Sequence, residues 1–289
     1  MSKLRPIELV ECPRDAFQGV VEFIPTSVKK EYYQLLLQVG FDVIDIGSFV
    51  SPKAVPQMQD TLEVLQGLDL SSTASKLLTI VANERGVHEA AKLDSVTYLG
   101  YPLSISPTFQ YNNTRQTIEE SILLVEKTMG VLSDSKQLVV YLSMGFGNPY
   151  NEPYSQEIVE SYIELLRKIG VKIISIADTV GKATPEFLYT ILNGIEARYP
   201  DVTIGVHLHS KRDEAKEKMK VVLESGIRRM DSALTGMGGC PFAQDDLVGN
   251  IPTEILVELL KEKSVHLSLN WGKYQEALQM AEWIKSRYH

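Results

Sequence analysis

The chain has 289 residues, 44% hydrophobic, 23% charged and 8% aromatic, with a formal charge of −8, which is the composition of a globular protein with one sizeable core. The acidic balance, with no long basic run, excludes a nucleic acid or an anionic membrane surface as the main partner and leaves an anionic small molecule met by local positive charge such as a metal. Two cysteines, Cys12 and Cys240, stand far apart with no CxxC spacing, which excludes a disulfide framework and suits a reducing compartment.

The opening residues MSKLRPIELVEC enter a strand almost at once, with no apolar h-region and no Arg/Ser-rich presequence. No apolar run reaches transmembrane length, so a cytoplasmic protein is expected. From there short β-branched runs alternate with longer stretches of helical periodicity, the pattern of βα units on a parallel sheet. The predicted strands are Ile7 to Cys12, Phe41 to Ser48, Leu77 to Asn83, Ser95 to Tyr101, Gln137 to Ser143, Lys172 to Asp178, Thr203 to His209 and Arg228 to Ala233. Their near-continuous apolar character fits strands buried on both faces. Helices are expected from Thr26 or Ser27 to Gly40, from Thr114 through Ile118 to Met129, and from Tyr154 to Ile169, ending at Gly170. Others open at Thr184 and run from Lys211 to Glu224, and a last one spans Trp271 to Tyr288, outside the barrel or against a partner. Eight such units predict a (βα)8 TIM barrel with an extra C-terminal helix, as one catalytic domain over residues 1–289. The rival, a doubly wound open sheet, usually carries GxGxxG after its first strand; here that turn reads PRDAFQG.

A (βα)8 barrel keeps its active site at the C-terminal strand ends, and polar residues gather there in this sequence. Arg14 and Asp15 follow the first strand, Asp45 and Ser48 close the second, and Asp178 closes the sixth. His207 and His209 close the seventh, and the loop TGMGGCPFAQDDLVGN comes after the eighth. Side chains two apart on a strand share a face, so both imidazoles can enter the barrel mouth. His-x-His alone is compatible with a metal edge or with two hydrogen-bonded core histidines. Adding Asp15 and the amide oxygen of Asn250 makes a mixed N/O set, which points to Mg²⁺ or Mn²⁺, with Zn²⁺ as a further candidate. Arg14 either neutralises charge on a substrate oxygen or forms an ion pair with a barrel carboxylate. Cys240, behind Gly236, Gly238 and Gly239, is either an acid–base thiol on a mobile loop or a plain loop residue. Asp45 and Asp178 are candidate bases, partners for a histidine, or ion-pair partners for Arg14.

Five segments together carry a resemblance: PRDAFQ at 13–18, SFVSPKAVPQM at 48–58, ADTVG at 177–181, HLH at 207–209 and GMGGCPFAQDDLVGN at 236–250. They resemble the 3-hydroxy-3-methylglutaryl-CoA lyase family, in family order from residue 7 to about 263. PRD and HxH are shared with related barrel enzymes such as isopropylmalate and homocitrate synthases; SFVSPKxVPQM and GGCPxAQ…GN are more specific to the lyases. The resemblance implies an acyl-CoA substrate, a homodimer, and cleavage to acetoacetate and acetyl-CoA in leucine or other acid breakdown. It also implies a divalent metal on Asp15, His207, His209 and Asn250. By the same resemblance Arg14 stabilises the enolate oxygen, Cys240 moves a proton to the enolate, and Asp178 matches a family carboxylate. Two positions depart from the family pattern: Asp45 stands where those lyases carry Glu, and Ser210 where Asp follows HxH. Rival readings are a metal-dependent aldolase or Claisen-type acyltransferase acting on another acyl-CoA or 2-oxo acid, and a non-catalytic barrel.

Overall fold

The computed structural model describes residues 6–238 and 248–288. The chain enters through β1 (Glu8–Glu11) and turns at once into a short helix, α1 (Pro13–Gln18). Pro13 sits at the helix start, where its fixed φ is favourable and its missing N–H costs nothing. Arg14 and Asp15 are thus held on a helical turn rather than on a loop. Next come α2 (Thr26–Val39), β2 (Val43–Ser48), α3 (Thr61–Gln66), β3 (Lys76–Ile80), α4 (Glu84–Ala91) and β4 (Val96–Ser104). The middle of the chain holds α5 (Pro107–Thr114), α6 (Ile118–Val131), β5 (Gln137–Ser143), α7 (Gln156–Ile169) and β6 (Ile173–Asp178). The last part holds α8 (Pro185–Leu192), α9 (Ile195–Arg198), β7 (Thr203–Ser210), α10 (Ala215–Glu224), β8 (Arg229–Ser232), β9 (Gly249–Asn250), α11 (Thr253–Glu262) and α12 (Trp271–Tyr288).

Each of β1 to β8 pairs in parallel with its chain neighbour, and β8 returns to β1 with Asp231 opposite Val10. The sheet is therefore a closed eight-stranded parallel barrel, a TIM barrel, with α12 packed outside against α2. No helix of the described residues is long and apolar enough to cross a membrane.

Closure divides the apolar side chains into two layers, because successive residues of a strand point to opposite faces. Val10, Cys12, Val43, Leu78, Ile80, Val139, Tyr141 and Ile173 fill the barrel interior. A larger shell, including Leu9, Ile44, Leu99, Ile174 and Val206, packs between strands and helices. The expected helix stops at Gly40 and Gly170 are observed, both left-handed at φ 84° and 102°. Several boundaries differ from expectation: β4 runs three residues further, to Ser104, and α10 opens at Ala215 rather than Lys211. Asn83 lies beyond β3 and caps α4, its Oδ1 accepting from Gly86 N at 2.9 Å. The helix predicted from Thr114 opens instead at Thr117, which forms a capping box with Glu120. Residues 107–114 before it form the separate α5, started by Pro107 and capped by Ser106.

Glu11 ties the barrel to the chain beyond β8. It faces outward from β1, and its Oε1 accepts from Leu234 N at 2.7 Å while its Oε2 accepts from Thr253 Oγ1 at 2.6 Å. Burial pushes its carboxyl from 4.5 up to about 8, against the lowering effect of those two hydrogen bonds. A raised folded value means that the native state holds a proton that the unfolded chain has lost, so this contribution to stability is complete below about 4.5 and falls away as pH rises through about 8. Glu11→Gln should flatten the decline in Tm between pH 5 and 8.5. An unchanged slope would mean that Glu11 is ionised in the folded protein.

Candidate metal and active site

A cavity of about 610 Å³ opens at the C-terminal end of the barrel. Its lining includes Arg14 and Asp15 from α1, Ser48 from β2, Tyr141 and Ser143 from β5, His207 and His209 from β7, and residues 112–116 at the end of α5. Among the described residues that line it, Asp15 is the single carboxylate.

Three of the predicted ligands converge. His207 Nε2 and His209 Nε2 are 3.3 Å apart, and Asp15 Oδ2 lies 3.5 Å from His209 Nε2 and 3.9 Å from His207 Nε2. An ion about 2.1 Å from each donor would space neighbouring donors by about 3.0 to 3.4 Å, the range between octahedral and tetrahedral angles. Asp15 accepts from Arg14 Nη1 at 3.0 Å and from Gln18 Nε2 at 3.0 Å. Burial works against its charge, yet Arg14 and the two imidazoles hold its carboxyl well below the usual carboxylate range.

Asn250, the fourth predicted ligand, reaches the same place through β9, which pairs antiparallel with β7 so that Asn250 faces His209. Its orientation differs from expectation. The amide nitrogen, not the oxygen, faces the cluster, donating to Asp15 Oδ2 at 2.8 Å and to Met237 O at 3.0 Å. Ligation through oxygen needs the amide to turn about its Cβ–Cγ bond, giving up the bond to Met237. The two stems of the intervening loop cross here in backbone contact. A Cβ at Gly249 would collide with the carbonyl oxygen of Gly236, so only glycine fits.

Arg14 is shared between two carboxylates. Nε and Nη2 both donate to Asp45 Oδ2, at 2.9 and 2.6 Å, while Nη1 turns to Asp15 and to Gln18 Oε1. Asp45 sits on the inner face of β2, 1% exposed, and does not line the cavity. Burial raises its carboxyl to about 6 in spite of Arg14. The structure therefore places Asp45 behind Arg14, where it aims the guanidinium.

Asp178 is not brought to the cluster. Its neighbours Ala177 and Thr179 line the cavity, and alternation turns Asp178 to the other face of β6. There Oδ1 accepts from Lys182 N at 2.9 Å and Oδ2 from Ala183 N at 2.8 Å, bracing the loop after the strand. Ser210 likewise faces away from the two histidines, and its hydroxyl donates to Lys211 O at 2.8 Å. Cys240 lies outside the described residues.

The sequence reading missed Asp231. On the inner face of β8, its Oδ2 lies 3.2 Å from His207 Nδ1. A carboxylate there holds the proton on Nδ1 and leaves the Nε2 lone pair facing Asp15 and His209, as ligating histidines require. The available signal was a charged pair two residues apart, Arg229 and Asp231, inside an otherwise buried strand. Asp231→Asn should weaken Mn²⁺ binding by about 10- to 100-fold. Unchanged affinity in a direct titration would remove Asp231 from the site.

The model of the HMGL-like family matches residues 8–281. The mitochondrial hydroxymethylglutaryl-CoA lyase of Mus musculus is 32% identical over 280 residues, covering 94% of this chain and 84% of its own. The structure of the HMG-CoA lyase from Brucella melitensis superposes with a TM-score of 0.89 at 30% identity, covering 98% of this chain and 99% of that one. An HMG-CoA lyase from Acinetobacter baumannii in complex with coenzyme A and 3-methylmalate superposes with a TM-score of 0.87 at 29% identity, covering 97% and 90%. With the barrel, the strand-end cluster and these likenesses in agreement, the chain belongs to the HMGL-like family of enzymes.

Proposed function

We propose that this chain is a divalent-metal-dependent carbon–carbon lyase that cleaves 3-hydroxy-3-methylglutaryl-CoA to acetoacetate and acetyl-CoA. The observation that carries this reading is the convergence of Asp15 Oδ2, His207 Nε2 and His209 Nε2 beneath a cavity large enough for an acyl thioester. One carboxylate oxygen and two imidazole nitrogens fit Mg²⁺ or Mn²⁺, or Zn²⁺, and Asn250 would complete the set after its amide turns. Bound there, a divalent ion supplies Lewis acidity, lowering the pKa of a coordinated hydroxyl and orienting the substrate's oxygens.

The chain's own residues supply the rest. As the 3-hydroxyl passes its proton to solvent water in the open cavity, the bond between C2 and C3 breaks, the C3 oxygen becomes a ketone and the electron pair passes to the thioester as an enolate. Arg14, held in place by Asp45 and Gln18, sets a fixed positive charge at the cavity floor to meet that enolate oxygen. The enolate carbon then needs a proton, the role that resemblance assigns to the Cys240 thiol. Asp45 and Asp178 act by positioning, the first through Arg14 and the second through the loop after β6. A coupled assay for acetoacetate and acetyl-CoA, with Mg²⁺, with Mn²⁺ and after chelation, tests the proposal. Metal-dependent turnover is expected. A folded, metal-binding chain that turns over another 3-hydroxyacyl thioester but not this one would move the assignment within the family.

A further inference from the structure

The imidazole of His207 has two faces, and the mechanism uses one. Nε2 looks out to Asp15 and His209; Nδ1 looks into the barrel, where Asp231 and Cys12 meet it. Cys12 Sγ, His207 Nδ1 and an Asp231 carboxylate oxygen all lie within 4.8 Å of one another. Cys12 is fully buried, and its thiol makes a long contact of 3.7 Å to Val10 O. Asp231 is 2% exposed and its Oδ1, also buried, has no hydrogen-bond partner. Asp15 and Asp45 lie close enough to act on the same thiol, so the surroundings are anionic. Arg14 and Arg229 offset part of that charge.

We propose that Cys12, His207 Nδ1 and Asp231 form a second, inner cation site that takes thiophilic divalent ions of the Zn²⁺ and Cd²⁺ class, and that its occupation disables the outer site. Ligand softness separates the two sites. A thiolate and an imidazole favour Zn²⁺ or Cd²⁺ and are poor partners for Mg²⁺ or Mn²⁺, which prefer the oxygen-bearing outer set. Around Zn²⁺, with bonds of about 2.0 to 2.3 Å, these donors would sit about 3.5 Å apart; His207 Nδ1 and Asp231 Oδ2 are already 3.2 Å apart, and the thiol completes the set by a short approach. Binding displaces the thiol proton to solvent and moves the ring proton from Nδ1 to Nε2, while Asp231 changes from holding His207 to ligating the ion. His207 then carries a cation on Nδ1 and its proton on Nε2, which has no lone pair left for the outer ion. Occupation of the inner site therefore opposes occupation of the outer one.

The test uses Cd²⁺ alone on the full chain carrying Cys240→Ser, which leaves Cys12 as its single thiol. One equivalent should produce the ultraviolet absorption of a cadmium–thiolate bond. Asp231→Asn in that background should lower Cd²⁺ affinity at least tenfold, and Asp15→Asn should leave it nearly unchanged. Absence of the thiolate band, or equal affinity with and without the Asp231 carboxylate, overturns the site. Circular dichroism melts on each variant separate a lost site from a lost fold. In turnover assays on the otherwise unaltered chain, Cys12→Ser and Cys12→Ala should keep Mn²⁺-dependent activity and raise the half-inhibitory Cd²⁺ concentration at least tenfold. Unchanged inhibition overturns the antagonism. That inhibition arm rests on the proposed lyase reaction, whereas the absorption arm needs no turnover, so the two readings fail separately.

Discussion

His207→Ala and Asp15→Asn should each reduce lyase turnover by about a thousandfold and abolish tight Mn²⁺ binding. The magnitude comes from the several kcal/mol of charge stabilisation a catalytic metal supplies, at about 1.4 kcal/mol per tenfold in rate. His207 contributes the nitrogen aimed by Asp231, and without it His209 and Asp15, 3.5 Å apart, are two donors short of the predicted set of four while Asn250 is turned away. Asp15→Asn keeps the shape and the contact with Gln18 but removes the charge that two imidazoles and Arg14 surround. Mn²⁺ titration beside the coupled assay checks both, and a melt confirms the fold. If either variant kept full Mn²⁺ affinity and turnover, the cluster would be a hydrogen-bonded core feature and the metal site would lie elsewhere.

The second large effect is expected at Arg14. Arg14→Lys should lower kcat by about 10²- to 10³-fold while KM moves far less, because an enolate oxygen carries its full charge only as the reaction proceeds. Lysine keeps the charge but lacks the fork that grips Asp45 through Nε and Nη2 while Nη1 reaches Asp15 and Gln18. Asp45→Asn tests the same arrangement from behind. It keeps the buried shape and loses the ion pair, so kcat should fall by about tenfold, a smaller loss than when the guanidinium itself is removed. A fall in kcat for Asp45→Asn as large as that of Arg14→Lys would make Asp45 a direct participant, despite its burial beneath the cavity.

The barrel was legible because each βα unit writes its own signature. Strands buried on both faces are continuous apolar runs, and helix stops such as Gly40 and Gly170 are local backbone requirements. The pairing of His207 with His209 was legible for the same reason, since two residues apart on one strand means one face. Asp178 was misplaced because that rule says nothing about which face. Only the register of β6 against β7, with Ala177 opposite His207, shows that Ala177 looks into the barrel and Asp178 away from it.

The sequence by itself determined the eight repeats, the class of donors and their crowding at strand ends, all of which depend on near neighbours in the chain. Strand pairing decided the rest, and closure of β8 onto β1 carries Asp231 beneath residues more than 200 positions earlier in the chain. It set Cys12 beside Asp231, while the β7–β8 register made Asp231 the partner of His207, the β1–β2 pairing put Asp45 behind Arg14, and β9 on β7 turned the nitrogen of Asn250 toward Asp15. Those contacts depend on inter-strand register and side-chain direction, which a linear pattern does not carry, because a shift of one residue exchanges the two faces of a strand.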